Sequence, residues 1–238
     1  MKRVTVLVLT LLLVSLVLLI SCAGVVAGSR DLTTKTYNFS DFTTIEAHQG
    51  FQVELSQSTE FSIEITIDDN LVEYLEIDKS GSTLIIRLKQ NRMYTLATLR
   101  AKVTLPDIDR LDLSGGSQAE VTGFDLSHNL SIELSGGSRV TGDISADDVD
   151  LKLSGGSRIE LVGSADNLVT DGSGGSQLEL GSFPVDNANI KISGGGRATV
   201  DVSGTLDLDI SGGSRVIYDG EPQIGDIDLS GGSTMKRK

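Results

Sequence analysis

Few residues of this 238-residue chain could do chemistry, and their spacing keeps most of them apart. The two histidines, His48 and His128, are far apart with no second ligand at a metal-site spacing; they read as surface or strand residues and give no case for zinc. Carboxylates cluster at Asp147, Asp148 and Asp150 in "ADDVD" and at Asp207 and Asp209 in "LDLD". Glycosidic cleavage needs two carboxyls facing one bond at a defined separation, which would make this a polysaccharide lyase or hydrolase. Alternating and turn positions explain the same acids as solvated surface. The unit Ser-Gly-Gly-Ser, first at 114–117, lacks the Gly-Lys-Ser/Thr ending of a phosphate loop, and the glycine-rich calcium nonapeptide is missing. No cofactor is expected.

Two features remain. Arg139, Arg158, Arg197 and Arg215 each follow a copy of the Ser-Gly-Gly-Ser unit directly. On an acidic chain they could grip an acidic ligand such as a glycan, or they could simply pair with Glu120, Glu160, Glu179 and nearby acids. The second feature is the only cysteine, Cys22. It follows a basic start (Lys2, Arg3), the apolar run Val4 to Ile20, and Leu19-Ile20-Ser21. This order reads as a lipoprotein export signal over 1–21, with the Cys22 thiol as the acylation site. The apolar run is at the short end for crossing a bilayer, and an exported protein has little reason to keep one unpaired thiol. Two or three acyl chains would hold the protein stably at a membrane of the bacterial envelope, facing the periplasm or the exterior. Residues 22–34 would then be a tether.

The scaffold that positions these residues follows from composition. Leu, Ile and Val dominate the apolar fraction, aromatics are only 4%, and Gly numbers 27, which suits many short strands joined by tight turns. A net charge of −13 repels phosphate backbones and argues against nucleic acid as a partner.

Seven Ser-Gly-Gly-Ser units begin at Ser114, Ser135, Ser154, Ser173, Ser193, Ser211 and Ser230, with Gly196 replacing the last serine of the fifth. Intervals of 18 to 21 residues mark stacked coils of a solenoid. Alternation before most units puts Leu111, Leu113, Ile132, Leu134, Leu151, Leu153, Ile190, Ile192, Leu208, Ile210, Ile227 and Leu229 on one inward face. Alternation resumes after each unit, so the unit joins two strands, and a second turn closes most coils. The fold expected is all-β: a parallel β-helix with coils of about 19 residues, its serines hydrogen-bonded along the stacked corners. One outward column reads Asp112, Glu133, Lys152, Asp171, Lys191, Asp209, Asp228, alternating in sign from Glu133 to Asp209 as if to control register. A second reads Gln118, Arg139, Arg158, Gln177, Arg197, Arg215.

Residues 35–106 lack the unit but alternate in "FQVEL", "FSIEITI", "TLIIRL" and "AKVTL", with room for one short helix in 68–78. They are expected to form irregular coils or a β cap on the same core, so that 35–234 is one domain, 107–234 its repeats and 235–238 a basic tail. The blocks "YNFSDFTTIEAHQGFQVELSQS", "LVEYLEIDKSGSTLIIRL" and "KVTLPDIDRLDLSGGSQAEV" resemble the GIN-domain putative auto-transporter adhesins, bacterial envelope proteins that are often lipoproteins. That resemblance implies a right-handed parallel β-helix and an adhesin-like role, with no catalytic or binding residues to carry over. The function expected is a membrane-anchored, non-enzymatic surface protein binding a glycan or cell-surface protein along a β-helix face. The alternatives are a polysaccharide-processing enzyme, or an envelope-stress or assembly factor acting through protein contacts.

Overall fold

Strands with one apolar face can bury it by winding, each segment lying on the equivalent segment of the previous coil. The computed structural model describes residues 24–238, so Cys22 and the apolar run before it lie outside the described residues. Arg110–Leu113 pairs in parallel with Leu130–Leu134, and that column continues through the later halves of Arg139–Leu153, Arg158–Gly172 and Gln177–Ile192 to Thr205–Ile210 and Gln223–Leu229. A second parallel column starts after each corner: Gln118–Asp125, the early halves of the same three long strands, Arg197–Val202, Arg215–Asp219 and Thr234–Arg237. The architecture is the expected all-β parallel solenoid. Its inward leucines and isoleucines are buried from Leu111 to Ile210, and each such side chain contributes about 1.5–3 kcal/mol.

The corners stack because they are glycine. Gly155 and Gly156 both have left-handed φ, 64° and 81°. A Cβ on Gly155 would come within 3.1 Å of the backbone N of Gly136 one coil below. The closing serine is buried, and its hydroxyl donates to the carbonyl of the first serine in its own corner: Ser117 to Ser114 at 2.9 Å, Ser157 to Ser154 at 2.7 Å, Ser214 to Ser211 at 2.7 Å. The expected serine bonds along the stack occur only toward its ends, where Ser117 accepts from Gly50 N–H at 3.2 Å and Ser233 from Ser214 N–H at 3.1 Å. Between the middle corners backbone groups make those bonds, for example Arg158 N–H to the Ser138 carbonyl at 3.0 Å.

The second turn also differs from expectation. In the middle coils "GDISADD", "GSADN" and "GSFPVDN" lie within continuous strands that bend while staying paired with one another, with register shifts at Glu160/Val162 and Leu180/Pro184. Asp148, Asn167 and Asn187 stack at this bend, Asn167 donating to Asp148 at 2.6 Å and Asn187 to Asn167 at 3.0 Å, while Asn187 accepts from Thr205 N–H at 3.0 Å.

The early segment contains a hidden coil. Thr44–Ala47 and Gln52–Gln57 pair with the first repeat coil on one side and with Thr83–Leu88 and Leu99–Leu105 on the other. The stack therefore runs 83–105, then 44–57, then 110 onward, out of chain order. Its corner, Ala47 to Phe51, matches "LSGGS" position by position, with Gln49 (φ 61°) and Gly50 (φ 85°) in the glycine places. His48 holds Ser114 of the next corner through Nδ1 at 2.6 Å. Beyond the 83–105 coil, Leu75–Ser80 and Ser62–Asp68 pair antiparallel to its two strands, and the short 3-10 helix Asp69–Tyr74 buries Leu71.

Residues 24–34 are not a free tether. Val25–Ala27 pairs with Met93–Thr95, and Leu32–Tyr37 pairs with Ser62–Asp68. Asp68, fully buried, fixes this docking by accepting from the N–H groups of Arg30 and Thr98, each at 2.6 Å. A buried carboxylate is tolerated because backbone donors replace its water.

Candidate functional site

Parallel register places side chains of successive coils about 4.8 Å apart on one face. The arginine column is continuous: Gln52, Gln118, Arg139, Arg158, Gln177, Arg197, Arg215, Thr234. Arg100, opposite Gln52, extends it at the capped end and was not picked out from the sequence, although it holds the outward place in "LRAKVTL". The four arginines fall into two neighbouring pairs, Arg139 with Arg158 and Arg197 with Arg215.

The pairs differ in what lies beside them. The adjacent outward column reads Glu54, Glu120, Thr141, Glu160, Glu179, Thr199, Ile217. Arg139 and Arg158 share Glu160, with Nη2 to Oε2 distances of 3.3 and 3.5 Å, and Arg158 also donates to Gln177 at 3.4 Å. Exposed pairs of this kind contribute at most about 1 kcal/mol each. Arg197 and Arg215 flank Thr199 and Ile217 instead, and among the described residues neither has a carboxylate within ion-pair distance. Both residues are exposed and stand opposite each other in register. The sequence alternatives for the column thus divide by position: pairing with Glu160 at the first pair, two unneutralised cations at the second.

The charged column keeps the expected register from Asp112 to Asp228. One step closes as an ion pair, Lys152 to Glu133 at 3.1 Å, and the hydrogen bond that Lys152 donates to Glu133 raises the Lys152 pKa. The like-charge step between Asp112 and Glu133 is relieved by Arg110, which reaches them at 3.7 and 2.6 Å.

The carboxylates singled out in the sequence fall in two places: Asp148 and Asp150 in the middle coils, and Asp207 and Asp209 on one outward face of Thr205–Ile210, where they line a shallow surface depression with Asp226 and Asp228 of the next coil. Asp148 belongs to the asparagine ladder, and Asp207 accepts from Asp226 N–H at 2.7 Å. Asp150 and Asp207 share a column but stand three coils apart, about 14 Å at ladder spacing, beyond the separation that glycosidic carboxyl pairs use. His128 Nε2 lies 2.8 Å from Asp107 and its Nδ1 lies 3.0 Å from the Asn129 carbonyl. Among the described residues no three His, Cys, Asp or Glu side chains are placed to hold a metal, and no helix is long and apolar enough to cross a membrane. Exposed apolar side chains gather at the capped end, where Val25 pairs with Met93, and Leu96, 73% exposed, follows that strand.

Residues 41–222 match the model of a family described as putative auto-transporter adhesin, head GIN domain. A putative adhesin from Bacteroides fragilis superposes with a TM-score of 0.82 at 19% identity, covering 90% of this chain and all of its own. A putative adhesin from Parabacteroides merdae gives 0.68 at 20% identity, covering 90% of this chain and 99% of its own. A putative lipid binding protein from Parabacteroides distasonis gives 0.69 at 22% identity, covering 90% of this chain and all of its own. At these identities the likeness is one of fold. Comparison with curated protein sequences finds no match.

Proposed function

Since the chain belongs to this family of putative auto-transporter adhesins, we propose that it is a lipid-anchored, non-enzymatic protein of the bacterial cell envelope, facing the periplasm or exterior, that binds acidic glycans through its arginine column. The observation that carries this reading is the Arg197–Arg215 pair: two exposed cations in adjacent register, without a carboxylate partner, on a chain of net charge −13. Like charges held about 4.8 Å apart oppose stacking unless something offsets them. A polymer carrying carboxylate or sulfate groups supplies that offset by charge-assisted hydrogen bonds. Anchoring through Cys22 is supported by the apolar run before it and by Val25, Met93 and Leu96, which lie exposed where the chain leads back toward that residue.

The test is an array of uronic-acid, sulfated and neutral glycans probed with wild type, Arg197→Gln/Arg215→Gln and Arg139→Gln/Arg158→Gln. Acidic glycans should bind wild type, fade as salt is raised, and lose most signal with the Arg197/Arg215 variant. Binding that is equal for all three proteins would refute the assignment.

A further inference from the structure

The two ends of the solenoid are finished differently. At one end antiparallel strands cover the last coil, and Leu84, Ile86, Leu88 and Val103 are fully buried. At the other, Gln223–Leu229 and Thr234–Arg237 each have one neighbouring strand and, among the described residues, nothing on the outer side. Ile224 and Leu229 are 43% and 42% exposed, whereas Leu206 and Ile210, their partners one coil in, are 0% and 1%.

This edge can also hydrogen-bond. Ser230, Thr234 and Lys238 direct their N–H groups inward, to the carbonyls of Ile210, Ser214 and Tyr218. Strand alternation then turns the backbone groups of Leu229, Met235 and Arg237 outward. An unpaired apolar edge is a template for another chain.

Charge selects which chain. One edge strand carries Asp226 and Asp228, the other Lys236 and Lys238, all exposed. A two-fold axis in the plane of the coil, through its corner at 230–233, lays the acidic strand of one copy antiparallel on the basic strand of the other, and does so twice. With both apolar faces inward, Leu229 meets Met235 of the second copy and they exchange their outward backbone groups. The same register sets Asp228 opposite Lys236 and Asp226 opposite Lys238. Lys238 already reaches Asp219 at 3.2 Å, so Asp228 with Lys236 is the sharper determinant. Antiparallel closure has a precedent in this chain, at the capped end.

We propose that the C-terminal coil is a docking surface for a second copy of this chain, joined tail to tail about a two-fold axis. The caps point away from each other, so the assembly closes at two. Resting on the anchored-adhesin reading above, this would set the two anchors on opposing surfaces.

The test is sedimentation equilibrium of the full chain in density-matched detergent. Wild type should have the mass of two chains, and Leu229→Lys/Met235→Lys that of one. Asp228→Lys or Lys236→Asp alone should weaken association about tenfold, because symmetry counts each contact twice, and the two together should restore it. A single-chain mass at every concentration, a mass above two chains, or a two-chain mass unmoved by all of these variants would overturn the proposal. Failure of the glycan or anchor reading would leave the two-chain mass intact. In lipid vesicles bearing the chain, wild type should cluster vesicles and Leu229→Lys/Met235→Lys should not; clustering equal in both would overturn the opposing-surface arrangement.

Discussion

Two adjacent glycines of one corner separate conformational strain from stacking. Gly155 and Gly156 share left-handed φ values, 64° and 81°, so alanine at either carries the left-handed penalty of about 1–2 kcal/mol. Their surroundings differ: a Cβ at 155 meets the Gly136 backbone N at 3.1 Å, while a Cβ at 156 has nothing within 4 Å. Backbone cannot swing aside as a side chain can, so Gly155→Ala must also shift the coil below, adding about 1–3 kcal/mol of overpacking. Urea unfolding followed by circular dichroism, with both variants in parallel, reads the difference directly. Gly155→Ala should be the less stable by about 1–3 kcal/mol. Equal losses, or a larger loss for Gly156→Ala, would refute the claim that close backbone stacking fixes glycine at that place.

Other consequences are also measurable. Ser157→Ala removes a buried hydroxyl that donates to the Ser154 carbonyl, and should cost about 1 kcal/mol in thermal unfolding. Gly196→Ser, which restores the repeat consensus, should destabilise instead, because its Cβ would lie 2.6 Å from Ile192 Cγ2. Asp68→Ala strips the acceptor from two backbone N–H groups at a cost of about 1–3 kcal/mol, and faster hydrogen exchange over 24–34 should follow. The His128 pKa is raised by its hydrogen bonds to the Asn129 carbonyl and to Asp107. Since the folded value exceeds the unfolded one, its stabilisation is fully present below about pH 6.5 and fades as pH rises through the folded pKa. His128→Gln should flatten that part of the pH–stability profile; an unchanged slope would count against the His128 contacts.

The repeat was legible because its physics is local. A two-residue alternation sets the inward face, and a recurring corner sets the register, so both the Asp112-to-Asp228 and the Gln118-to-Arg215 columns could be read from spacing. The corner at 47–51 escaped because Gln49 takes a left-handed conformation usually left to glycine, and its side chain accepts from Leu88 N–H at 2.6 Å. No local pattern could reveal that 44–57 sits between 83–105 and 110 onward, since that order is set by long-range pairing. Residues 24–34 read as a tether because their anchor, Asp68, lies far along the chain. The asparagine ladder had a signal, Asp148, Asn167 and Asn187 at coil spacing, but turn composition masked it. At the arginine column, spacing gave the positions; which pair is neutralised depended on the neighbouring column, where Glu160 gives way to Thr199 and Ile217.

The measurement that tests the functional account most directly is the affinity of wild type and Arg197→Gln/Arg215→Gln for one acidic polysaccharide, titrated at two salt concentrations. Loss of even one charge-assisted contact, at about 1.4 kcal/mol, predicts at least about tenfold weaker binding for the variant and a smaller salt dependence. Equal affinity and equal salt dependence in the two proteins would contradict it.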